Sequence, residues 1–100
     1  MINTVIETEM NDGSVLKMTL NFKSLYLLRD KNKKIYNEYM RIANGPKDEM
    51  EVAIMLYTAY LCANLEDYDN CIKLEDFLEN LPVNREEMSG ILARLQPKKK

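Results

Sequence analysis

Between residues 3 and 22 polar and apolar side chains alternate on both sides of Asn11-Asp12-Gly13, which is the period-two pattern of a β-hairpin. The register follows from which residues each loop length sets opposite one another. A two-residue Asp12-Gly13 loop would place Glu9 opposite Leu16 and Glu7 opposite Met18, with charge on the apolar face. A three-residue loop with Gly13 in the left-handed conformation pairs Thr8 with Leu16, Ile6 with Met18, Thr4 with Leu20 and Ile2 with Phe22. This second register leaves one clean apolar face, so it is the one expected. Glu7, Glu9, Lys17, Thr19 and Asn21 then form a face that is solvated or open to another chain. An isolated hairpin is marginal in water, so the apolar face must pack on helices or on strands of a partner.

The period then changes from two to 3.6. Ser24 is expected to cap a helical region whose apolar residues Leu25, Leu28, Ile35, Tyr39 and Ile42 fall on one stripe. Asn32 lies on that stripe with Asp30 just before it, which predicts a kink or break near residues 30 to 32. Gly45-Pro46 ends the segment, glycine as the C′ residue and proline as a stop. Asp48 and Glu51 have capping-box spacing and open a helix that is apolar on nearly every side, with Met50, Ala53, Ile54, Met55, Leu56, Tyr57, Ala59, Tyr60, Leu61 and Cys62. That helix is expected at the centre of the core. A polar, acidic connection over residues 64–71 leads to a short helix over 74–81, with Leu74, Phe77, Leu78 and Leu81 inward and Pro82 as its stop. Asn84 and Glu87 open a last helix with Met88, Ile91, Leu92 and Leu95 on one face, and Pro97 ends it.

The fold class expected is therefore α+β, an N-terminal β-hairpin followed by four or five α-helices, mostly helical. The chain reads as a single small domain over 1-97, with the hairpin at 3-22, the helical part at 24-96, and a disordered lysine tail at 98-100. Its length of 100 residues allows one core, and 46% hydrophobic with 30% charged residues is a globular composition. The apolar run from Val52 to Leu65 is too short to cross a bilayer, which takes about 20 residues. Met1-Ile2-Asn3-Thr4 lacks a basic n-region and a long apolar stretch, so neither export nor a membrane partner is expected.

Candidate chemistry narrows the reading mainly by exclusion. Without histidine there is no imidazole base and no His-containing zinc site. A calcium loop started at Asp67 has Asp69 at its third position but Cys71, Ile72 and Leu78 at the fifth, sixth and twelfth, so the pattern fails. Three glycines cannot build a phosphate loop. Cys62 and Cys71 form no CxxC, and Cys62 reads as a small core residue. Lys23, Arg29, Lys31, Lys33 and Lys34, interleaved with Tyr26, Tyr36 and Tyr39, read as a solvated helix face or the rim of a protein interface. The net charge of −2 argues against nucleic acid as the partner. No catalytic, cofactor-binding or metal site is expected.

The order of elements, with Asn21-Phe22-Lys23-Ser24-Leu25, Leu28-Arg29-Asp30-Lys31-Asn32, Tyr57-Thr58-Ala59-Tyr60-Leu61-Cys62-Ala63, Leu74-Glu75-Asp76-Phe77-Leu78 and a lysine-ended tail, resembles the tail assembly chaperones of long-tailed phages and prophages of Gram-positive bacteria. The resemblance spans most of the chain. It implies a non-enzymatic protein of the host bacterial cytoplasm that binds and solubilises the tape measure protein and helps recruit tail tube subunits. It also implies a longer product made by programmed frameshift, with which Lys98-Lys99-Lys100 is compatible. The alternatives are another phage structural protein, such as a head-tail completion protein, and a small regulatory or antitoxin-like binding domain.

A hairpin with two usable edges and a partner that must be coated along its length both favour a homo-oligomer. The surface expected to bind protein is the hairpin with the first helical region, through Tyr26, Arg29, Tyr36 and Met40.

Overall fold

The computed structural model of the protein describes residues 5–82 and 84–95, Arg85 by its backbone alone. Two antiparallel strands, β1 (Val5–Glu9) and β2 (Val15–Thr19), lead into α1 (Phe22–Lys31), α2 (Lys33–Ile42) and α3 (Glu49–Ala63). Tight 3-10 turns over Leu65–Asn70, broken at Asp67, precede α4 (Leu74–Asn80) and α5 (Arg85–Leu95). The architecture is α+β and mostly helical, as the periodicities predict.

The hairpin adopts the register that keeps charge off the apolar face, with Ile6 opposite Met18 and Thr8 opposite Leu16. Met10 N–H donates to the Ser14 carbonyl at 2.8 Å and Gly13 N–H to the Met10 carbonyl at 3.0 Å, so the loop is the three residues Asn11-Asp12-Gly13. Gly13 has φ +88°, the one positive φ among the described residues. Asp12 braces the turn by accepting from the Ser14 hydroxyl at 2.6 Å and the Ser14 N–H at 3.0 Å. Those bonds, the hydroxyl's foremost, hold its carboxyl below the ordinary aspartate range. The expected pairings of Thr4 with Leu20 and Ile2 with Phe22 involve residues outside those described.

The strand is shorter than the alternation suggests, and three residues change role as a result. Asn21 sits in extended backbone at φ −151° and its Oδ1 accepts from Ser24 N–H at 2.9 Å. Asn21, not Ser24, is thus the cap of α1, because an asparagine just ahead of the first turn reaches the N3 amide before a serine three residues later can act. Phe22 becomes the first helical residue and is 88% exposed rather than facing the sheet's apolar side. Thr19, expected on the solvated face, is buried beside Met18, since β2 is the strand that lies against α3 and its C-terminal end is covered on both faces.

Asn32 supplies the expected break. Its N–H closes α1 on the Leu28 carbonyl at 2.7 Å, while its Oδ1 accepts from Ile35 N–H at 3.1 Å and opens α2. Leu25, Leu28, Ile35, Tyr39 and Ile42 are buried along the stripe. The helix ends at Ile42, and Gly45 N–H folds back to the Ile42 carbonyl at 3.1 Å. Gly45 is not the C′ residue expected, because the helix ends at Ile42 with Ala43 as its cap, and the tight turn places Gly45 one residue further on.

Asp48 caps α3 by accepting from Glu51 N–H at 3.0 Å, and Glu51 accepts in turn from Lys47 N–H at 2.8 Å, one residue before the box position. From Met55 to Cys62 every α3 residue is buried, with β2, α1, α2, α4 and α5 all packing on it. Met50, expected inward, lies on the first turn of α3 and is 56% exposed. Thr58, fully buried, donates to the Ile54 carbonyl at 2.8 Å and so stays satisfied inside the core. The fully buried Phe77 of α4 meets the Tyr57 and Tyr60 rings at centroid distances of 5.2 and 5.8 Å. Burying a side chain of that size contributes about 3 kcal/mol. Met88, Ile91 and Leu95 close the core from α5, whose cap Asn84 accepts from Glu87 N–H at 3.1 Å.

Candidate protein-binding face

Residues i, i+4 and i+7 of a helix share one side, and in α1 these are Phe22, Tyr26 and Arg29. Past the Asn32 joint the row continues on α2 with Tyr36 and Met40. The guanidinium carbon of Arg29 lies 5.1 Å from the centre of the Tyr26 ring and 5.9 Å from that of Tyr36. One cation thus bridges an aromatic ring on each helix and fixes the two helices as one face. Tyr26 is 59% exposed and Met40 48%, while Tyr36 is half-buried. The opposite sides of the same helices carry the buried stripe, so the core positions this outer row.

Of the four residues expected to bind protein, Arg29 touches both Tyr26 and Tyr36, and Met40 stands one turn beyond Tyr36. The hairpin packs on α3 through β2 and on α5 through β1. The face has one member beyond the expected residues, Phe22, which the alternation assigns to the strand. The i, i+4, i+7 spacing of Phe22, Tyr26 and Arg29 is the signal that identifies it, while Leu27, 42% exposed, points to the flank of α1. Tyr39 turns inward instead, and its burial raises its hydroxyl pKa.

The charge around the face is opposite to that of the chain. Residues 22–42 carry six basic side chains and two acidic ones, whereas residues 43–95 carry four basic and eleven acidic. Arg41 is engaged by Glu38 at 2.7 Å and more distantly by Glu51 at 3.8 Å. Among the described residues, Lys23, Arg29, Lys31, Lys33 and Lys34 have no carboxylate within ion-pair distance.

Other parts of the surface offer less chemistry. A cleft of about 420 Å³ between the α1–α2 joint, α3 and the start of α4 is lined by Asn32, Lys34, Tyr57, Asp69, Cys71 and Lys73, among others. Its Tyr57 hydroxyl is committed to the Ile72 carbonyl at 2.9 Å. Burial pushes the Cys71 thiol up, away from the thiolate that nucleophilic chemistry needs, and pushes Cys62 up to about 12. Both thiols are free. Among the described residues no three His, Cys, Asp or Glu side chains are grouped to hold a metal ion, and no helix is long and apolar enough to cross a membrane. No protein family profile matches the chain, and no curated protein or solved structure matches it significantly.

Proposed function

We propose that this protein is a non-enzymatic tail assembly chaperone of a long-tailed phage or prophage. In this reading it acts in the host cytoplasm as a homo-oligomer, binds the tape measure protein through the α1–α2 face, keeps it soluble and helps recruit tail tube subunits. The observation that carries the reading is the outward row of Phe22, Tyr26, Arg29 and Met40, exposed, with the half-buried Tyr36 among them, on two joined helices. Exposed aromatic, Met and Arg side chains in one patch are the composition of a protein-binding surface, and burying them on a partner recovers free energy that solvent exposure forfeits. The hairpin-then-helices order is the feature on which the resemblance to these chaperones rests.

Co-expression with the tape measure protein of the same phage tests the reading. The wild-type chain is expected to bring that protein into the soluble fraction and to elute with it. A Tyr26→Ala/Met40→Ala variant, folded by circular dichroism, is expected to lose both properties. Equal solubility with and without the chain would sink the proposal, and its presence in mature virions would favour a structural role instead.

A further inference from the structure

We infer that the α1–α2 face takes an amphipathic helix whose apolar stripe is flanked by carboxylates. The inference rests on reading this face as a docking surface but not on which protein supplies the helix. The apolar groups Phe22 and Tyr26 on α1 and Met40 on α2 form one row along two helices, which a partner helix presenting side chains at i, i+3, i+4 and i+7 matches. Each helix of the face is 10 residues long, so a partner of about three turns covers it.

The charge of the occupant follows from the cations beside the face. Lys23, Arg29 and Lys33 have no carboxylate within ion-pair distance among the described residues, against one exposed carboxylate, Asp30, on the same two helices' outer side, in a chain whose net charge is −2. Arg29 is already stripped of part of its water by the two tyrosine rings and keeps its planar N–H groups for an incoming carboxylate. A basic-flanked helix would instead meet like charge at the rim, which both slows encounter and weakens the complex. A second copy fits less well. The acidic segment 65–80 contributes none of the large exposed apolar side chains, and the hairpin's outer face pairs Glu7 and Glu9 with only Val5 and Val15.

Fluorescence anisotropy of the full chain with two labelled peptides tests this. Both carry the same apolar helical repeat, one with Glu and one with Lys at the flanking positions. The Glu-flanked peptide is expected to bind at least about tenfold tighter, and to lose about tenfold between roughly 50 and 300 mM salt. A Lys23→Glu/Arg29→Glu/Lys33→Glu variant is expected to reverse the preference, and the milder Lys23→Gln/Lys33→Gln variant to abolish it. Circular dichroism checks that both keep the fold. Equal affinity for the two peptides, tighter binding of the Lys-flanked one, or self-assembly that excludes both would overturn the inference. A chain that binds the acidic helix yet leaves the tape measure protein insoluble keeps this inference and loses the chaperone reading. One that solubilises the tape measure protein while binding both peptides alike loses this inference alone.

Discussion

The guanidinium of Arg29 and the ring of Tyr36 meet across the break between α1 and α2, 5.9 Å from carbon to ring centre. Asn32 makes the break by terminating one helix and capping the next, and the Arg29–Tyr36 contact closes it on the outside. The chain therefore bends inward at Asn32 without dividing its outer face. Local capping, a cation–π contact and the candidate interface are three levels of one arrangement.

Removal of Arg29 separates the structural from the binding role of that arrangement. An exposed cation–π contact contributes about 0.5–1 kcal/mol, so Arg29→Ala is expected to lower the urea unfolding midpoint only slightly. Capture of the partner should fall much further. Arg29→Lys keeps the charge but not the planar stacking, and an intermediate affinity is expected. A large stability loss with binding unchanged would assign Arg29 to the scaffold alone.

Tyr57 and Tyr60 hold the backbone of a single residue, Ile72, between them. The Tyr57 hydroxyl donates to the Ile72 carbonyl at 2.9 Å, and Ile72 N–H donates to the Tyr60 hydroxyl at 3.0 Å. These bonds anchor the segment between the 3-10 turns and α4 to the central helix. Tyr57→Phe and Tyr60→Phe leave the ring packing on Phe77 intact and remove one partner each. Each is expected to cost about 1 kcal/mol in urea unfolding, with Tyr60→Phe the larger because an orphaned amide donor is harder to satisfy than a carbonyl. Neutral effects would mean that water replaces the hydroxyls freely.

The elements that were legible in advance are those whose signal is periodic. The hairpin register followed from the need to keep Glu7 and Glu9 away from Leu16 and Met18, and α3 announced itself as apolar on every side. What the periodicity missed lies at ends, where a single polar side chain decides. Asn21 lacks the Glu or Gln at N3 that makes a capping box recognisable, so the pattern points to Ser24 as the helix start and to Phe22 as strand. The same shift conceals the most exposed residue of the candidate face. The Tyr57–Ile72 and Tyr60–Ile72 bonds join residues more than ten apart through a loop, and no local pattern carries that information.

Gly13 isolates the conformational part of a turn's stability. A Cβ there would meet nothing within 4 Å, yet φ is +88°. Gly13→Ala is therefore expected to cost about 1–2 kcal/mol through backbone strain with no steric clash, and Gly13→Asn distinctly less. Thermal midpoints of the two variants give the comparison. Equal midpoints for Ala and wild type would show that the turn relaxes out of the left-handed region.

Alkaline pH is expected to destabilise the fold through two buried groups, Cys62 and Tyr57. Burial raises Cys62 from 9.0 to about 12 and Tyr57 from 10.0 to about 12. Each group is neutral when protonated, so the unfolded chain releases its proton first, and the native state retains it across the interval between the two values. Stability is therefore complete below about pH 9, declines as pH rises from there, and levels off only above about pH 12. Urea midpoints at increasing pH should follow that course, with a shallower decline in Cys62→Ala. A flat profile to pH 11 would show that both groups ionise without unfolding.

Thr8 presents the opposite case, a buried polar group whose removal should help. It lies on the inward face of β1 opposite Leu16, is only 6% exposed, and its Oγ1 has no hydrogen-bond partner among the described residues. A hydroxyl desolvated without compensation costs about 1–3 kcal/mol, and valine has the same branched shape and an equal liking for strands. Thr8→Val is accordingly expected to raise stability by about 1 kcal/mol. Thr8→Ser keeps the unpaired hydroxyl and loses the methyl group, so it should lower stability by about the same amount. Urea unfolding of the three proteins orders them as Val above Thr above Ser. A valine variant less stable than wild type would mean that the hydroxyl makes a bond in solution, most simply to a water held between β1 and α5.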